Sequence, residues 1–394
     1  MNTVLVFSER MLPMTCPFIP LQVNELQRYT AQYVGLIPAG DRNLPLAQEP
    51  ILLSKQRTRL ARVRRELYRW TGIAPQFHSS LQAVGSVLIH AHFAEGASGA
   101  VFISNRLNLP LIMHLRGGAE LMPDRELRGQ MFELPYLAYR RKLWKRASLF
   151  LCVSKYIHEK ALRAGFPPEK LRIQYTGMDV DAFTPHLPVS EKDPNMVLYV
   201  GRLIPYKGCD YLLRAMKLVQ QSRPGARLVI IGDGHFRSAL EQLNGELGVG
   251  ATFLGELTQS AIRPWLEKAR VFCCPSVTVQ TGMSEAFGNV FSEAQAMGVP
   301  VVSFRHGGIP ETMKEGVTGL LATERDVEQL AAHLRRYLED DAFWAKSREE
   351  GMHWVRRTFD VRLQTAKLED IYDDVVQQFR AGNGSQAGLT AVHA

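Results

Sequence analysis

The chain has 394 residues, 46% of them hydrophobic, and a formal net charge of +8. That length exceeds one ordinary domain, so two cores are expected, and the apolar content is enough to fill both. No apolar run approaches the ~18–20 residues that a membrane-crossing helix needs. The charge is uneven: residues 1–190 hold 24 Lys+Arg against 14 Asp+Glu, a net of +10, while residues 191–394 hold 23 against 25, a net of −2. A basic half beside a near-neutral half points to an anionic partner for the first half. Five cysteines, Cys16, Cys152, Cys209, Cys273 and Cys274, are odd in number and lack paired metal spacing, which suits a reducing compartment.

Asn2 to Ser8 reads as a first strand rather than a signal peptide, because Glu9 and Arg10 follow its apolar residues at once. A loop from Arg10 to Ile19 and a short helix follow. Ile51 to Trp70 is the most basic stretch. On a helical wheel Leu53, Leu60, Val63, Leu67 and Trp70 form an apolar stripe, with Lys55, Arg59, Arg62, Arg65 and Arg69 on one side and Arg57 and Arg64 on the other. Two readings stand: a solvated surface helix, or an interfacial helix that touches anionic lipid. The basic stretches lack the interleaved aromatics of a nucleic-acid platform, so no nucleic acid is expected.

Val87 to His92 reads as a buried strand whose His90 and His92 point the same way. That is half of a metal site at most, since no Cys or carboxylate has matching spacing, and packing or substrate contact is the expectation. Leu111 to Leu115 is the next strand. It carries His114 and runs into Arg116-Gly117-Gly118. Arg125 to Arg146 is helical and holds a second basic group. After a strand at Leu149 to Val153, Ser154 caps a helix. Asp179-Val180-Asp181 has the spacing of a metal-binding acidic motif, but turn formation explains it. Thr184 to Pro194, rich in proline and charge, reads as a linker.

The second half opens with a strand, Met196 to Val200, then Gly201-Arg202-Leu203-Ile204-Pro205-Tyr206-Lys207-Gly208 and a helix. Two cations in a strand-to-helix turn bounded by glycines suit a diphosphate. A strand and turn follow at Arg227 to Gly234, and strands at Thr252-Phe253-Leu254-Gly255 and at Val271 to Cys274. Glu285 then lies in a loop, Phe287-Gly288-Asn289 turns into a helix, and Glu293 sits one turn inside it. Both carboxylates and the free N–H groups of that helix would face the C-terminal end of the strand, where open parallel sheets bind ligands. Val299 to Phe304 is another strand, and a helix covers Val327 to Leu338. A last helix is expected near 361–380, with a Gly/Ser/Ala-rich disordered tail at 381–394. There are no internal repeats.

Glu285 and Glu293, eight apart, resemble the Glu-x7-Glu element of retaining glycosyltransferases of the two-domain GT-B type, glycosyltransferase family 4 (group 1). Pro275-Ser276, Ala296 to Val302, Gly307-Gly308-Ile309-Pro310-Glu311 and Gly316 to Leu321 match as well. Ala286 departs from the family's usual glycine, and its Cβ could narrow the sugar pocket or shift the loop. Ile89-His90-Ala91-His92-Phe93 is similar to the colanic acid and amylovoran subgroup.

The resemblance implies an α/β fold of two Rossmann-like domains facing a cleft. The acceptor-side domain would span 1–186 and the nucleotide-sugar domain 187–360, with the helix at 361–380 crossing back to the first. It further implies metal-independent, retaining transfer of a hexose from a UDP- or GDP-linked sugar to a lipid-linked saccharide, without a cofactor. Exopolysaccharide or cell-surface glycan assembly would be the setting. Arg202 and Lys207 would take the donor diphosphate, with Gly201, Phe287, Gly288 and Asn289 around it, Leu254 at the nucleobase and Glu293 on the ribose. Glu285 would hold the transferred sugar. Arg116 or His114 would face that sugar or the leaving oxygen. The expected location is cytoplasmic, with peripheral attachment to the inner face of an anionic membrane through residues 51–70. A nucleotide-sugar epimerase of the same fold and a non-catalytic nucleotide-sugar-binding subunit are the alternatives.

Overall fold

The computed structural model describes residues 1–394 except 14, 15, 39–43, 45, 94, 95, 130–132, 281 and 391–394; part of the first loop, Met14 and Thr15, thus lies outside the described residues. The chain forms two units, residues 1–177 with 361–394, and residues 178–360. Each is built on a wholly parallel sheet.

In the first unit the strands are β1 (Asn2–Phe7), β2 (Tyr29–Gly35), β3 (Ile51–Leu52), β4 (Leu88–His92), β5 (Leu111–Leu115), β6 (Leu149–Cys152) and β7 (Leu171–Ile173), in the order β3-β2-β1-β4-β5-β6-β7. In the second they are β8 (Met196–Val200), β9 (Arg227–Ile231), β10 (Thr252–Phe253), β11 (Val271–Cys273), β12 (Val301–Phe304) and β13 (Gly319–Ala322), in the order β10-β9-β8-β11-β12-β13. Both sheets grow outward from their first strand, then return to its other side. The loops leaving β1 and β4, and those leaving β8 and β11, therefore diverge and open a crevice at the strand C-termini. Near-continuous apolar runs such as Leu-Ile-Met-His-Leu in β5 and Met-Val-Leu-Tyr-Val in β8 suit strands covered on both faces.

Helices that matter below are α1 (Phe18–Asn24), α2 (Arg59–Thr71), α3 (Cys209–Ser222), α4 (Asn289–Ala296) and α5 (Val361–Thr390). The α2 helix starts on Thr58, whose side chain accepts from the Ala61 N–H, and stops at Gly72 with φ 68°. Its orientation differs from a simple amphipathic reading. Ala61, Arg65, Tyr68 and Arg69 face inward, while Leu60, Val63, Leu67, Trp70 and the nearby Ile73 are exposed. Arg69 pairs with Glu9 at 3.2 Å and with Glu66, and Arg65 also pairs with Glu66. Those two arginines are internal, and Leu53 is buried ahead of the helix rather than part of its stripe.

The chain changes unit at Gly177/Met178, ahead of the expected 186/187. The proline-rich stretch after it is held to the second unit. The Lys192 ammonium, pushed down to about 7 by burial, donates to the Glu267 carbonyl at 2.7 Å. The final helix belongs to the first unit, as expected, but continues to Thr390 instead of ending near 380. Leu368, Tyr372, Val375 and Val376 enter the same core as Val4, Val6, Tyr29 and Ile112. Glu369 Oε1 accepts from the N–H groups of Gln27, Arg28 and Tyr29 at 2.9, 2.6 and 3.2 Å.

This sealing role predicts that Leu368→Ala destabilises the protein by about 2–5 kcal/mol, the range for a buried leucine lost from a core. Exposed Leu363→Ala on the same helix should change it by less than ~0.5 kcal/mol. Denaturant titration of both variants checks the contrast.

Candidate functional site

In the second unit four loops converge at the C-terminal ends of β8, β11, β12 and β13. The first contains Gly201 and Arg202 and a short turn, Pro205–Lys207, that enters α3 through Gly208. Gly208 has φ 66°, and a Cβ there would meet the Pro275 carbonyl oxygen at 1.9 Å, so the loop after β11 packs directly on this turn. Gly201 donates its N–H to Ile231 at 3.0 Å, which ties the same loop to β9.

Lys207 makes an ion pair with Glu285, and both side chains are nearly covered. Burial opposes charge on the ammonium, but the Glu285 carboxylate beside it outweighs burial and holds Lys207 above its ordinary range. Arg202 is exposed and donates to the Tyr206 hydroxyl at 2.9 Å. The two cations thus differ: one is coupled to a carboxylate, the other reaches solvent.

The Glu285 backbone is fixed from the loop after β12. Gly308 donates to the Glu285 carbonyl at 3.0 Å, and a Cβ on Gly307 would lie 2.1 Å from that oxygen. His306 Nε2 accepts the Glu285 N–H at 3.1 Å, so its proton is on Nδ1, which faces Glu324 Oε2 at 3.1 Å and Thr278 Oγ1 at 3.3 Å. Burial lowers the His306 pKa and keeps the ring neutral, as an accepting nitrogen requires. Glu324 also accepts from Thr278 N at 2.7 Å. His306, Thr278 and Glu324 were not legible as site residues. Only the position of His306, directly before Gly307-Gly308, hinted at it. Ala286 stands outside the positive-φ residues, so its backbone does not require the family's glycine.

The helix α4 begins at Asn289, as expected, from Gly288 at φ 91°, where a Cβ would meet the Phe291 ring at 2.7 Å. Phe287 is buried against Phe359 and shapes the loop from within. Glu293 keeps some exposed surface, but its carboxyl is desolvated and pushed up to about 7, with Gln259 Nε2 at 3.4 Å. Leu254 donates its N–H to Ile230 at 2.9 Å and is half-buried at the sheet edge. Asp179 Oδ1 accepts from the N–H groups of Asp181 and Ala182 at 3.0 and 2.9 Å, the turn expected there.

The first unit holds a separate cluster. His92 and His114 are register partners on β4 and β5, and His90 lies two residues before His92. All three are buried. Their nitrogens come within 4.8 Å of one another, so the spacing of a metal site is complete here although the sequence showed only half of it. Arg116 decides how those nitrogens are used. Its Nε and Nη2 face His92 Nδ1 at 3.4 Å, Nη2 faces His114 Nδ1 at 3.4 Å, and Nη1 donates to Thr176 Oγ1 at 3.2 Å. A guanidinium only donates, so both Nδ1 atoms accept. His90 Nε2, 3.2 Å from His114 Nδ1, must then donate, and His90 Nδ1 accepts from the Tyr372 hydroxyl at 2.6 Å.

Burial pushes His90 down to about 3 and His92 and His114 well below the ordinary value, so all three rings are neutral. Burial also lowers Arg116, to about 9. His114, expected as a group that touches substrate, is fully covered beneath Arg116, because β5 aims it into the sheet–helix core; the half-exposed group of the two is Arg116.

Residues 24–182 match the family model described as Glycosyltransferase Family 4, and residues 186–354 match Glycosyl transferases group 1. A GDP-mannose-dependent alpha-(1-6)-phosphatidylinositol monomannoside mannosyltransferase of Mycolicibacterium smegmatis is 29% identical over 59% of this chain and 63% of its own length. The amylovoran biosynthesis glycosyltransferase AmsK of Erwinia amylovora is 32% identical over 51% of this chain and 50% of its own. The alignments thus span half to just under two thirds of these relatives. Among solved structures, Anabaena HepE in complex with UDP and glucose has a TM-score of 0.73 at 20% identity, covering 95% of this chain and 100% of that one. Sucrose-phosphate synthase of Thermosynechococcus elongatus has 0.74 at 21%, covering 97% and 100%.

The raised Glu293 pKa has a stability consequence. The folded state holds this proton more tightly than the unfolded chain, so the contribution is full below the ordinary carboxyl value of 4.5 and is lost as pH rises through about 7. Glu293→Gln should remove that slope and leave the ligand-free protein about 1 kcal/mol more stable at pH 8 than the wild type. Denaturant midpoints at pH 5 and pH 8 measure it, and equal slopes in both proteins would contradict it.

Proposed function

Because the chain belongs to the group 1, family 4 glycosyltransferases of the GT-B fold, we propose that it transfers a hexose from a nucleotide sugar to a lipid-linked saccharide with retained configuration. The observation that carries the reading is the Lys207–Glu285 pair set between Arg202 and the start of α4 at the strand-order reversal. Arg202 and Lys207 neutralise the departing diphosphate, and the free N–H groups of α4 add to that field. Their charge does the work that Mg²⁺ does elsewhere, so no metal or cofactor is required. Glu285, oriented by Lys207 and by His306, accepts from sugar hydroxyls, and Glu293 accepts from the ribose. Gly201, Gly288, Asn289 and Leu254 line the donor, while Phe287 supports the loop from behind.

In the reaction the bond from the anomeric carbon to the phosphate oxygen breaks. The acceptor oxygen bonds to the same face, and its proton passes to the departing phosphate. Arg116 serves the first unit's ligand directly, and His114 positions Arg116.

The relatives' names, a GDP-mannose-dependent phosphatidylinositol mannoside enzyme and an amylovoran enzyme, favour surface glycan or glycolipid assembly. HepE, solved with UDP and glucose, keeps a UDP-linked donor in view. Incubation with a panel of UDP- and GDP-sugars should release nucleotide only when membrane extract supplies acceptor. An epimerase would convert the sugar without extract, and a binding subunit would release nothing.

Three outcomes follow. Arg202→Ala, an exposed change, should lower turnover about 10-fold or more by removing a charge-assisted contact made as the leaving group departs. Lys207→Ala should cost more, because it also strands the Glu285 carboxylate; near wild-type turnover in both would sink the diphosphate assignment. Excess chelator should leave activity intact, whereas a loss restored by Mg²⁺ or Mn²⁺ would overturn metal independence.

A separate outcome concerns the membrane. Among the described residues no helix is long and apolar enough to cross a bilayer. The α2 helix nonetheless turns Leu60, Val63, Leu67 and Trp70 outward, with Arg59, Arg62 and Arg64 exposed beside them. That pattern suits the headgroup region of an anionic membrane at the cytoplasmic face. The protein should co-sediment with anionic vesicles and not with neutral ones, and high salt should release it. Val63→Asp with Leu67→Asp should abolish binding without unfolding the chain, since both sites are solvent-facing. Indifference to anionic vesicles at low salt would reduce the stripe to an ordinary surface.

A further inference from the structure

Proteins usually hold a buried guanidinium with a carboxylate, because an unpaired charge is costly to take out of water. Arg116, half-buried, is held differently. Its neighbours are two imidazole Nδ1 atoms, the Thr176 hydroxyl and the Phe18 ring, whose centroid lies 4.3 Å from the guanidinium carbon. Every one of these is neutral. Among the described residues no carboxylate makes an ion pair with it. Glu120, the acid nearest in sequence, gives Oε1 to the N–H groups of Arg116 and Gly117 at 2.8 and 3.0 Å and so shapes the turn.

The donors converge on the two Nδ1 acceptors. Tyr372 donates to His90, His90 donates to His114, and Arg116 donates to His114 and His92. A divalent cation would need the same Nδ1 lone pairs and would stand against a guanidinium, so these histidines serve the arginine rather than a metal. The cradle fixes the direction of Arg116 without an ion pair, and Cys16 and Glu120 favour its charge only through space. With three long contacts at 3.4 Å and one hydroxyl partner, donor capacity on Nη1 also remains.

We propose that Arg116 is the receptor for a phosphate-class oxyanion in the first unit, and that the neutral imidazole–hydroxyl cradle exists to keep its charge available to that ligand. This rests on the first unit alone and stands whether or not the second unit grips a diphosphate. The oxyanion has two sources, a phosphate on the acceptor or the diphosphate of the donor.

The test uses the full chain carrying Arg202→Ala, which removes an exposed competing cation, and calorimetric titration at constant ionic strength. Inorganic phosphate should bind saturably, and Arg116→Gln should weaken it about 10-fold or more, as for loss of a charge-assisted contact. Charge compensation is the sharper arm. Thr176→Asp places a carboxylate beside the guanidinium and should weaken phosphate about 10-fold or more, whereas near-isosteric Thr176→Asn should stay within about 3-fold. If Thr176→Asp fails to fold, His92→Asp against His92→Asn asks the same question.

Farnesyl phosphate and UDP separate the sources. A loss in Arg116→Gln confined to farnesyl phosphate assigns the acceptor, and one confined to UDP assigns the donor. No saturable phosphate binding, no effect of Arg116→Gln on any of the three probes, or equal losses in Thr176→Asp and Thr176→Asn would overturn the proposal.

Discussion

The Lys207–Glu285 ion pair is the contact on which the second unit's site depends. An ammonium and a carboxylate that are both nearly covered survive only when each is placed to suit the other, since desolvation offsets much of their attraction. The surrounding loops supply that placement. Gly208 lets the turn before α3 lie on the Pro275 carbonyl, and Gly307 and Gly308 let the turn after β12 lie on Glu285 and Ala286. His306 then takes the Glu285 N–H, with its own proton directed to Glu324 and Thr278. Lys207 holds the Glu285 side chain, while His306 and Gly308 hold its backbone and Glu324 braces His306, so a backbone shift in any of these loops is felt at Glu285.

The first unit handles charge by the opposite means. Arg116 is oriented by neutral acceptors, and its guanidinium keeps its charge. The difference matters for chemistry. A paired ammonium shares its charge between its partner and a ligand, while a guanidinium without an ion pair offers its charge to the ligand alone. The C-terminal helix α5 takes part in both the stability and the alignment of this unit. Leu368 and Val375 fill the core, and Tyr372 starts the hydrogen-bond chain that ends at Arg116.

The α2 helix shows how tertiary context inverts a sequence pattern. Its apolar stripe would ordinarily be the buried face. Here Arg65 and Arg69 are buried instead, because Glu9, at the C-terminal edge of β1, and Glu66 give them partners. Once those two are inside, Leu60, Val63, Leu67 and Trp70 are left outside. No periodicity analysis could have found this, since the deciding residue, Glu9, lies about sixty positions away in the chain.

Much of the architecture was legible in order. Apolar runs marked the strands of both sheets, Gly288-Asn289 marked the start of α4, and Glu285, Glu293, Arg202 and Lys207 stood out through spacing and flanking glycines. Local rules suffice there, because strand burial, positive φ and helix starts depend on a few adjacent residues. The tertiary structure alone decided what pairs with what. It joined Lys207 to Glu285 across 78 positions and brought His306 behind them. It set His114 beside His92 through strand register, which turned a half-formed histidine pattern into a cradle for Arg116. It also moved the change of unit to Gly177/Met178, because packing of Lys192 on the Glu267 carbonyl outweighs the linker-like composition of that stretch. Burial, charge pairing and tautomer are properties of neighbours in space, and those neighbours are distant in the chain.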